Sequence, residues 1–240
     1  MIRLSKIMAD RGICSRREAD EMIRHGLVIV DDEIISKVGT KTRPDAKIVL
    51  APEAISARAK LTTILINKPP GYVAAQAEKS YIDIRTLVTP KNQYNANQND
   101  KNKVIDRKSL HTAGRLDIDS SGLLVLTQDG AIVRKLIHPT HPISKEYIVR
   151  VNGQITQSAI RLLQKGLSLD GRALRPAEVS QINRDQLHFT LREGRKRQIR
   201  RMCELVDLNV KSLVRVKIGK LYLGDLPRGK WRFMRTDECF

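Results

Sequence analysis

Gly114-Arg115-Leu116-Asp117-Ile118-Asp119-Ser120-Ser121-Gly122-Leu123-Leu124-Val125-Leu126-Thr127-Gln128-Asp129-Gly130 changes character twice: it opens polar, becomes apolar and ends in a turn. Gly114 and Gly122 bracket a short loop carrying Asp117 and Asp119, and glycine at both ends allows backbone conformations that hold a side chain against a ligand. Leu123 to Leu126 are four apolar residues between turn signals, which predicts a buried strand. Gln128, Asp129 and Gly130 turn the chain, and Ile132, Val133, Leu136 and Ile137 form a helical stripe that Pro139 ends. Asp117 is therefore expected in a loop leading into a core strand, a common place for reactive groups.

Taken alone, the two aspartates are accounted for as turn residues bonding their own backbone. Asp117-Ile118-Asp119-Ser120-Ser121 also mimics the nucleophile loop of haloacid-dehalogenase-like phosphotransferases. That loop follows an apolar strand, whereas Leu110-His111-Thr112-Ala113-Gly114-Arg115 precedes it here, so the context fails.

Three further stretches share an order with this one: Asn67-Lys68-Pro69-Pro70-Gly71, Lys145-Glu146-Tyr147, and Gly194-Arg195-Lys196-Arg197-Gln198-Ile199-Arg200-Arg201-Met202. Together the four motifs resemble the pseudouridine synthases, in particular the family that modifies ribosomal RNA of both subunits. The resemblance covers nearly the whole chain. It implies an α+β catalytic domain around a mostly antiparallel sheet and conversion of a uridine in RNA to its C5-linked isomer, with no cofactor and no metal. Asp117 would act beneath the sugar, as nucleophile at C1′ or as base at C2′. Tyr147 would stack on the base, and Arg200 would pair with Asp117 to keep it charged and oriented. The target nucleotide must be flipped out or come from a loop, because a stacked uridine is out of reach.

The local patterns agree with this assignment. Lys145 to Val151 alternates as a strand, with Tyr147, Val149 and Val151 on the apolar face. Ile199, Met202, Cys203 and Val206 mark the buried face of a helix. At helical spacing Arg200 falls on the border of that face while Arg197 and Arg201 point away, so Arg200 is expected inward and Arg195, Arg197 and Arg201 are expected on phosphates, together with Arg115 of the first loop.

The 240 residues carry 44 Lys plus Arg against 26 acids, a formal net charge of +18. A phosphate-rich partner follows, since neutralising phosphates releases condensed counterions. No apolar run approaches the roughly 20 residues that span a bilayer, and no secretory signal pattern is present, so a cytoplasmic location is expected; a monomer is the expected oligomeric state. Cys14, Cys203 and Cys239 lack paired spacing, which argues against disulfides and zinc. His138-Pro139-Thr140-His141 is read as loop, because Pro139 keeps the two rings off one helix face.

Ahead of these motifs, Leu4, Ile7 and Met8 predict a short helix ended by Gly12, and Ser15-Arg16-Arg17-Glu18 is a capping box that opens a second helix. Leu27 to Val30 and Glu33 to Ile35 predict a hairpin around Asp31-Asp32, and Lys47 to Leu50 a third strand. This order resembles the S-four RNA-binding domain, which implies that Arg3, Lys6, Arg11, Arg16, Arg17 and Arg24 meet RNA phosphates. Asp31-Asp32 departs from the usual Asn-Gly and leaves the turn geometry open. Ala51 to Lys60 lacks an apolar face and is read as the linker between an N-terminal domain, 1–58, and a catalytic domain, 59–240. Pro90 to Lys103, rich in Asn, Gln and Lys, is expected to be a mobile surface loop.

Arg197-Gln198-Ile199-Arg200-Arg201-Met202-Cys203-Glu204 is most similar to large-subunit members, so 23S rRNA is the expected target, with 16S rRNA or tRNA as alternatives. A non-catalytic RNA-binding or ribosome-assembly factor is the alternative from another class.

Overall fold

Ser15 and Glu18 close the expected capping box: the Glu18 N–H donates to Ser15 Oγ at 3.2 Å, and the Ser15 N–H donates to Glu18 Oε2 at 2.6 Å. The box opens helix α2 (Arg16–Arg24), which packs on α1 (Leu4–Asp10). The structure, a computed structural model, describes residues 1–74, 81–95, 100, 105–138 and 143–240. Leu4, Met8, Cys14, Ala19, Ile23 and Val28 form a small core. An antiparallel sheet of β1 (Val28–Val30), β2 (Glu33–Ile35) and β3 (Ile48–Leu50) supplies its other half, with β1 in the middle. Asp31 and Asp32 both take positive φ, 49° and 70°, and so make the primed turn that Asn-Gly ordinarily makes. Asp31 Oδ1 accepts the Lys47 N–H at 2.9 Å, which anchors the turn to the third strand.

Residues 51–60, read from the sequence as the linker, are largely helical. They contain helix α3 (Pro52–Ala59), with Pro52 at its first position and only Ala54 buried. The helix has little apolar face, so periodicity could not find it. Its fixed point is Arg58, which donates to both carboxylate oxygens of Asp129, at 3.1 and 3.2 Å.

The remaining chain builds one large sheet in the order β7-β8-β6-β9-β5-β4-β10. Its strands are β4 (Thr63–Lys68), β5 (Ser121–Thr127), β6 (Lys145–Asn152), β7 (Glu178–Asn183), β8 (Gln186–Leu191), β9 (Asn209–Ile218) and β10 (Trp231–Phe233). Every pairing along this path is antiparallel except β5 with β9. Helices α4 (Gly130–Ile137), α5 (Gln157–Gln164) and α6 (Gln198–Glu204) complete the described elements used below.

β5 is buried at every position because the sheet is covered on both faces there. Leu124 and Leu126 enter the core that holds Tyr147, Val149 and Phe189, while Leu123 and Val125 enter a second core with Leu136, Ile218 and Leu221. Each such side chain contributes about 1.5–3 kcal/mol as an upper estimate, so this strand is the most strongly fixed element near Asp117. In β6 only the face of Tyr147, Val149 and Val151 is buried, as the alternation predicts.

Pro90–Asn92 begins a stretch that the sequence reading assigned to a mobile loop. The described part is instead pinned to the last strand: Trp231 Nε1 donates to Thr89 O, and the Tyr94 N–H donates to Trp231 O, both at 2.8 Å. Positions 96–99 and 101–103 of that stretch, and 139–142 with Pro139 and His141, lie outside the described residues.

Gly122 has φ +107°, and a Cβ there would stand 2.6 Å from Arg215 N on the parallel neighbour. Gly122→Ala is therefore expected to destabilise the large domain by on the order of 3 kcal/mol, from backbone strain plus overpacking. The lone Trp231, 3% exposed, reports this as a lowered urea midpoint of its fluorescence.

Candidate active site

The register of the sheet sets one row across five strands. Lys68 of β4 faces Gly122 of β5, Gly122 faces Arg215 of β9, Arg215 faces Tyr147 of β6, and Tyr147 faces Phe189 of β8. The loop carrying Asp117 leads into this row just before Gly122. Two long cations thus flank a residue with no side chain, directly beside the loop.

Both cations are buried and both hold the loop by its backbone. Lys68, 0% exposed, donates from Nζ to Ser120 O at 2.7 Å, Pro69 O at 3.0 Å and Ile118 O at 3.3 Å. Arg215 donates from Nε to Leu123 O at 2.7 Å and from Nη1 to Arg115 O at 3.1 Å. The Gly71 N–H adds a bond to Ile118 O at 2.8 Å, so the Pro-Gly turn of the first motif cradles the Asp117 loop.

Arg200 is the third buried cation, 7% exposed, and lies inside the buried face of α6 rather than at its border. Its partner also differs from the sequence expectation. Nε lies 3.2 Å from Asp119 Oδ2, and Nη2 donates to Asp119 O at 3.2 Å, so the arginine pairs with Asp119 instead of Asp117. Arg197 joins the same carboxylate with two bonds, at 3.2 and 3.1 Å. Arg197 starts α6 in the left-handed region, φ 53°, which turns its guanidinium toward the loop.

Asp117 itself is half-buried and makes no ion pair or hydrogen bond through its carboxylate to any described residue. It lies within electrostatic range of Lys68 and Arg197. Tyr147, 9% exposed, shares a core with Leu116 and Ile199, the neighbours of Asp117 and Arg200 in sequence, and its hydroxyl has no partner among the described residues. The site therefore holds an uncommitted carboxylate and an uncommitted phenol beside a cluster of buried positive charge.

Several arginines expected on phosphates are committed elsewhere. Arg195 donates to the carbonyls of Leu169, Arg172 and Ala173, and Arg201 grips Asp170 at 2.9 and 2.6 Å, so the hairpin at residues 168–173 is held to α6 and to the loop that leads into it. Arg11 is likewise used internally, on Ala46 O and Pro44 O. Lys6 pairs with Asp10, and Arg24 with Glu21, at the surface. Arg3, Arg16, Arg17 and Arg115 are exposed, and their side chains have no ion pair among the described residues. No cluster of three metal-ligating side chains occurs among the described residues, and none of their helices is long and apolar enough to cross a membrane.

Residues 62–205 match the family described as RNA pseudouridylate synthase, and residues 2–48 match the S4 domain. The chain belongs to the RNA pseudouridylate synthase family. Relatives extend the match over 99% of the chain. It is 33% identical to "Ribosomal large subunit pseudouridine synthase B" of Bacillus subtilis, covering 94% of that protein. It is 32% identical to a dual-specificity RNA pseudouridine synthase of Escherichia coli, covering 77% of it, and to an uncharacterised RNA pseudouridine synthase of Mycobacterium leprae, covering 90%. A crystal structure of a pseudouridylate synthase superposes with TM-score 0.66 at 24% identity, over 98% of this chain and 96% of that one, which establishes the shared fold. The chain is thus an RNA pseudouridine synthase carrying an S4 domain, built on a mixed, mostly antiparallel sheet.

Within this pseudouridine synthase, Lys68 and Arg215 are the residues that sequence reasoning missed. The signal was a cation at an inward position of period two: Ile64, Ile66 and then Lys68 in β4, and Leu213 then Arg215 in β9. Burial lowers the Lys68 ammonium to about 8, against the favourable charges of Asp119 and Asp117. Lys145, at the head of the Tyr147 strand, is lowered to about 8 by burial and by the charge of Arg215. For each lysine the folded value lies below the unfolded value of 10.5. The unfolded chain therefore binds more protons between about pH 8 and 10.5, and each lysine's contribution to stability rises through that window. The urea midpoint of the wild type minus that of Lys68→Met is expected to grow across it; a difference that is flat or shrinks contradicts the buried, charged lysine.

Proposed function

We propose that this pseudouridine synthase isomerises a uridine of large-subunit ribosomal RNA and that Asp117 is the group acting on the sugar. The observation that carries the catalytic assignment is the Asp117 carboxylate, unpaired among the described residues in a loop whose carbonyls are tied down by Lys68, Arg200 and Arg215. A carboxylate already committed to an arginine would have to give that bond up before reacting; Asp119 is so committed and Asp117 is not. The likeness to the Bacillus subtilis protein named for the large subunit supports the choice of RNA.

In this reading the glycosidic bond between N1 and C1′ breaks, the uracil turns in place, and C5 bonds to C1′. The C5 proton then leaves and N1 regains one. Asp117 engages the sugar, at C1′ as nucleophile or at C2′ as base, and both roles need the free carboxylate. Tyr147 stacks on the detached uracil, with its hydroxyl placed to relay the C5 proton. Arg200 acts through the loop by holding Asp119, rather than through a bond to Asp117. Arg3, Arg16, Arg17 and Arg115 meet phosphates, and Lys6 and Arg197 join them where RNA draws them off Asp10 and Asp119. The boundary between the RNA-binding domain and the catalytic domain falls at residues 58–59, at the end of α3.

Tritium release from transcripts labelled at uridine C5 tests the target. Large-subunit rRNA fragments should release tritium stoichiometrically with one or a few uridines. Release only from small-subunit rRNA or tRNA would move the target, and release from none would leave an RNA-binding factor.

A further inference from the structure

Gly130 has no backbone reason to be glycine, for its φ is not in the left-handed region and it begins α4, where any good helix former fits. The reason is spatial. A Cβ at Gly130 would collide with Ser15 Cβ, with Ser15 Oγ at 2.6 Å, and with the Glu18 carboxylate, all of which belong to the S4 domain. Ser15 Cβ is fixed to its backbone, so the collision cannot be relieved by rotating a side chain.

The same place carries a bond across the two domains. Glu18 spends Oε2 on its own capping box and Oε1 on the Gly130 N–H, at 3.1 Å. One carboxylate thus satisfies the N-termini of two helices, α2 and α4, where exposed N–H groups and the helix dipole favour negative charge. Asp129, the N-cap of α4, accepts the Ala131 N–H at 2.8 Å and takes Arg58 of α3. One turn further on, Arg134 donates to Asp10 of α1 at 2.6 Å. Among the described residues, these three attachments of the N-terminal segments fall on α4 or on its N-cap, in the helix that follows β5 from the Asp117 loop.

We propose that α4 is a docking post and that the Glu18–Gly130 joint makes the S4 domain a fixed, specificity-determining arm. Arg16 and Arg17 share the first turn of α2 with Glu18, so the joint fixes where their guanidinium groups stand relative to Asp117. β5 spans seven residues, roughly 23 Å, which sets the scale of the offset. A uridine is then chosen by its distance, in folded RNA, from the phosphates that the arm grips. This rests on the proposed function.

Gly130→Ala tests it in the full-length chain, because alanine favours α4 itself and harms only the docking. Small-angle scattering should show an increased radius of gyration. On a folded large-subunit rRNA domain, kcat/KM at the target uridine should fall at least tenfold while other uridines become modified; on a short hairpin carrying the target uridine, turnover should stay within twofold of wild type. Arg134→Asp should act the same way, and Arg134→Asp with Asp10→Arg should restore selectivity, which separates docking from misfolding. Unchanged scattering in Gly130→Ala overturns the joint. Unchanged selectivity with a loosened arm, or an equal loss on the hairpin, overturns the arm as a determinant of specificity. If the wild type modifies no RNA, the functional reading and the selectivity claim fail together, and scattering still decides the joint.

Discussion

Asp117→Asn is expected to abolish isomerisation, by on the order of 10³-fold or more, because the amide can neither attack C1′ nor remove a proton from C2′. RNA affinity and stability should stay close to wild type. The reason is structural: the Asp117 carboxylate makes no hydrogen bond to a described residue, and the loop is held by its carbonyls through Lys68, Arg200 and Arg215. Asp119→Asn should instead lower stability, since its carboxylate is the partner of both Arg197 and Arg200. Tritium release, a filter-binding curve and a urea midpoint read the three quantities. A fall in stability for Asp117→Asn matching that for Asp119→Asn would mean that the wrong aspartate has been taken as the reactive one.

Tyr147→Phe should separate the base from the sugar. The ring keeps its place in the row between Arg215 and Phe189, so stacking area and RNA affinity are retained. What is lost is a hydroxyl that has no other partner among the described residues. Product formation from uridine is expected to fall to background, whereas RNA carrying 5-fluorouridine at the target, which has no C5 proton, should still be processed. Asp117→Asn should fail on both substrates. Equal failure of the two variants on 5-fluorouridine RNA refutes the division of roles, and normal uridine turnover by Tyr147→Phe makes Tyr147 an ordinary core tyrosine.

The parts of the fold legible in the sequence are those fixed by burial on a simple period. Leu123 to Leu126, the alternation around Tyr147, and the Ser15–Glu18 box each declare themselves through local chemistry that tertiary contacts only reinforce. What escaped reading depended on partners far along the chain. Helix α3 has almost no apolar face, and Asp129, some seventy residues on, supplies the fixed point for Arg58. Lys68 and Arg215 sit at inward positions of apolar strands, where a cation is ordinarily assigned to solvent; backbone carbonyls, several of them in a loop some fifty to a hundred residues away, accept their bonds and make the burial tolerable. Arg200 was correctly turned inward, but its partner was not legible. Which aspartate it meets depends on the left-handed start of α6 at Arg197, and helical spacing carries no information about that.

The central claim is tested most directly by mapping pseudouridine across the ribosomal RNA of cells that contain the protein, lack it, or carry only Asp117→Asn. The account predicts that one or a few large-subunit positions lose their modification without the protein, regain it with the wild-type chain, and stay unmodified with Asp117→Asn. Identical maps in all three strains, or restoration by Asp117→Asn, would contradict it.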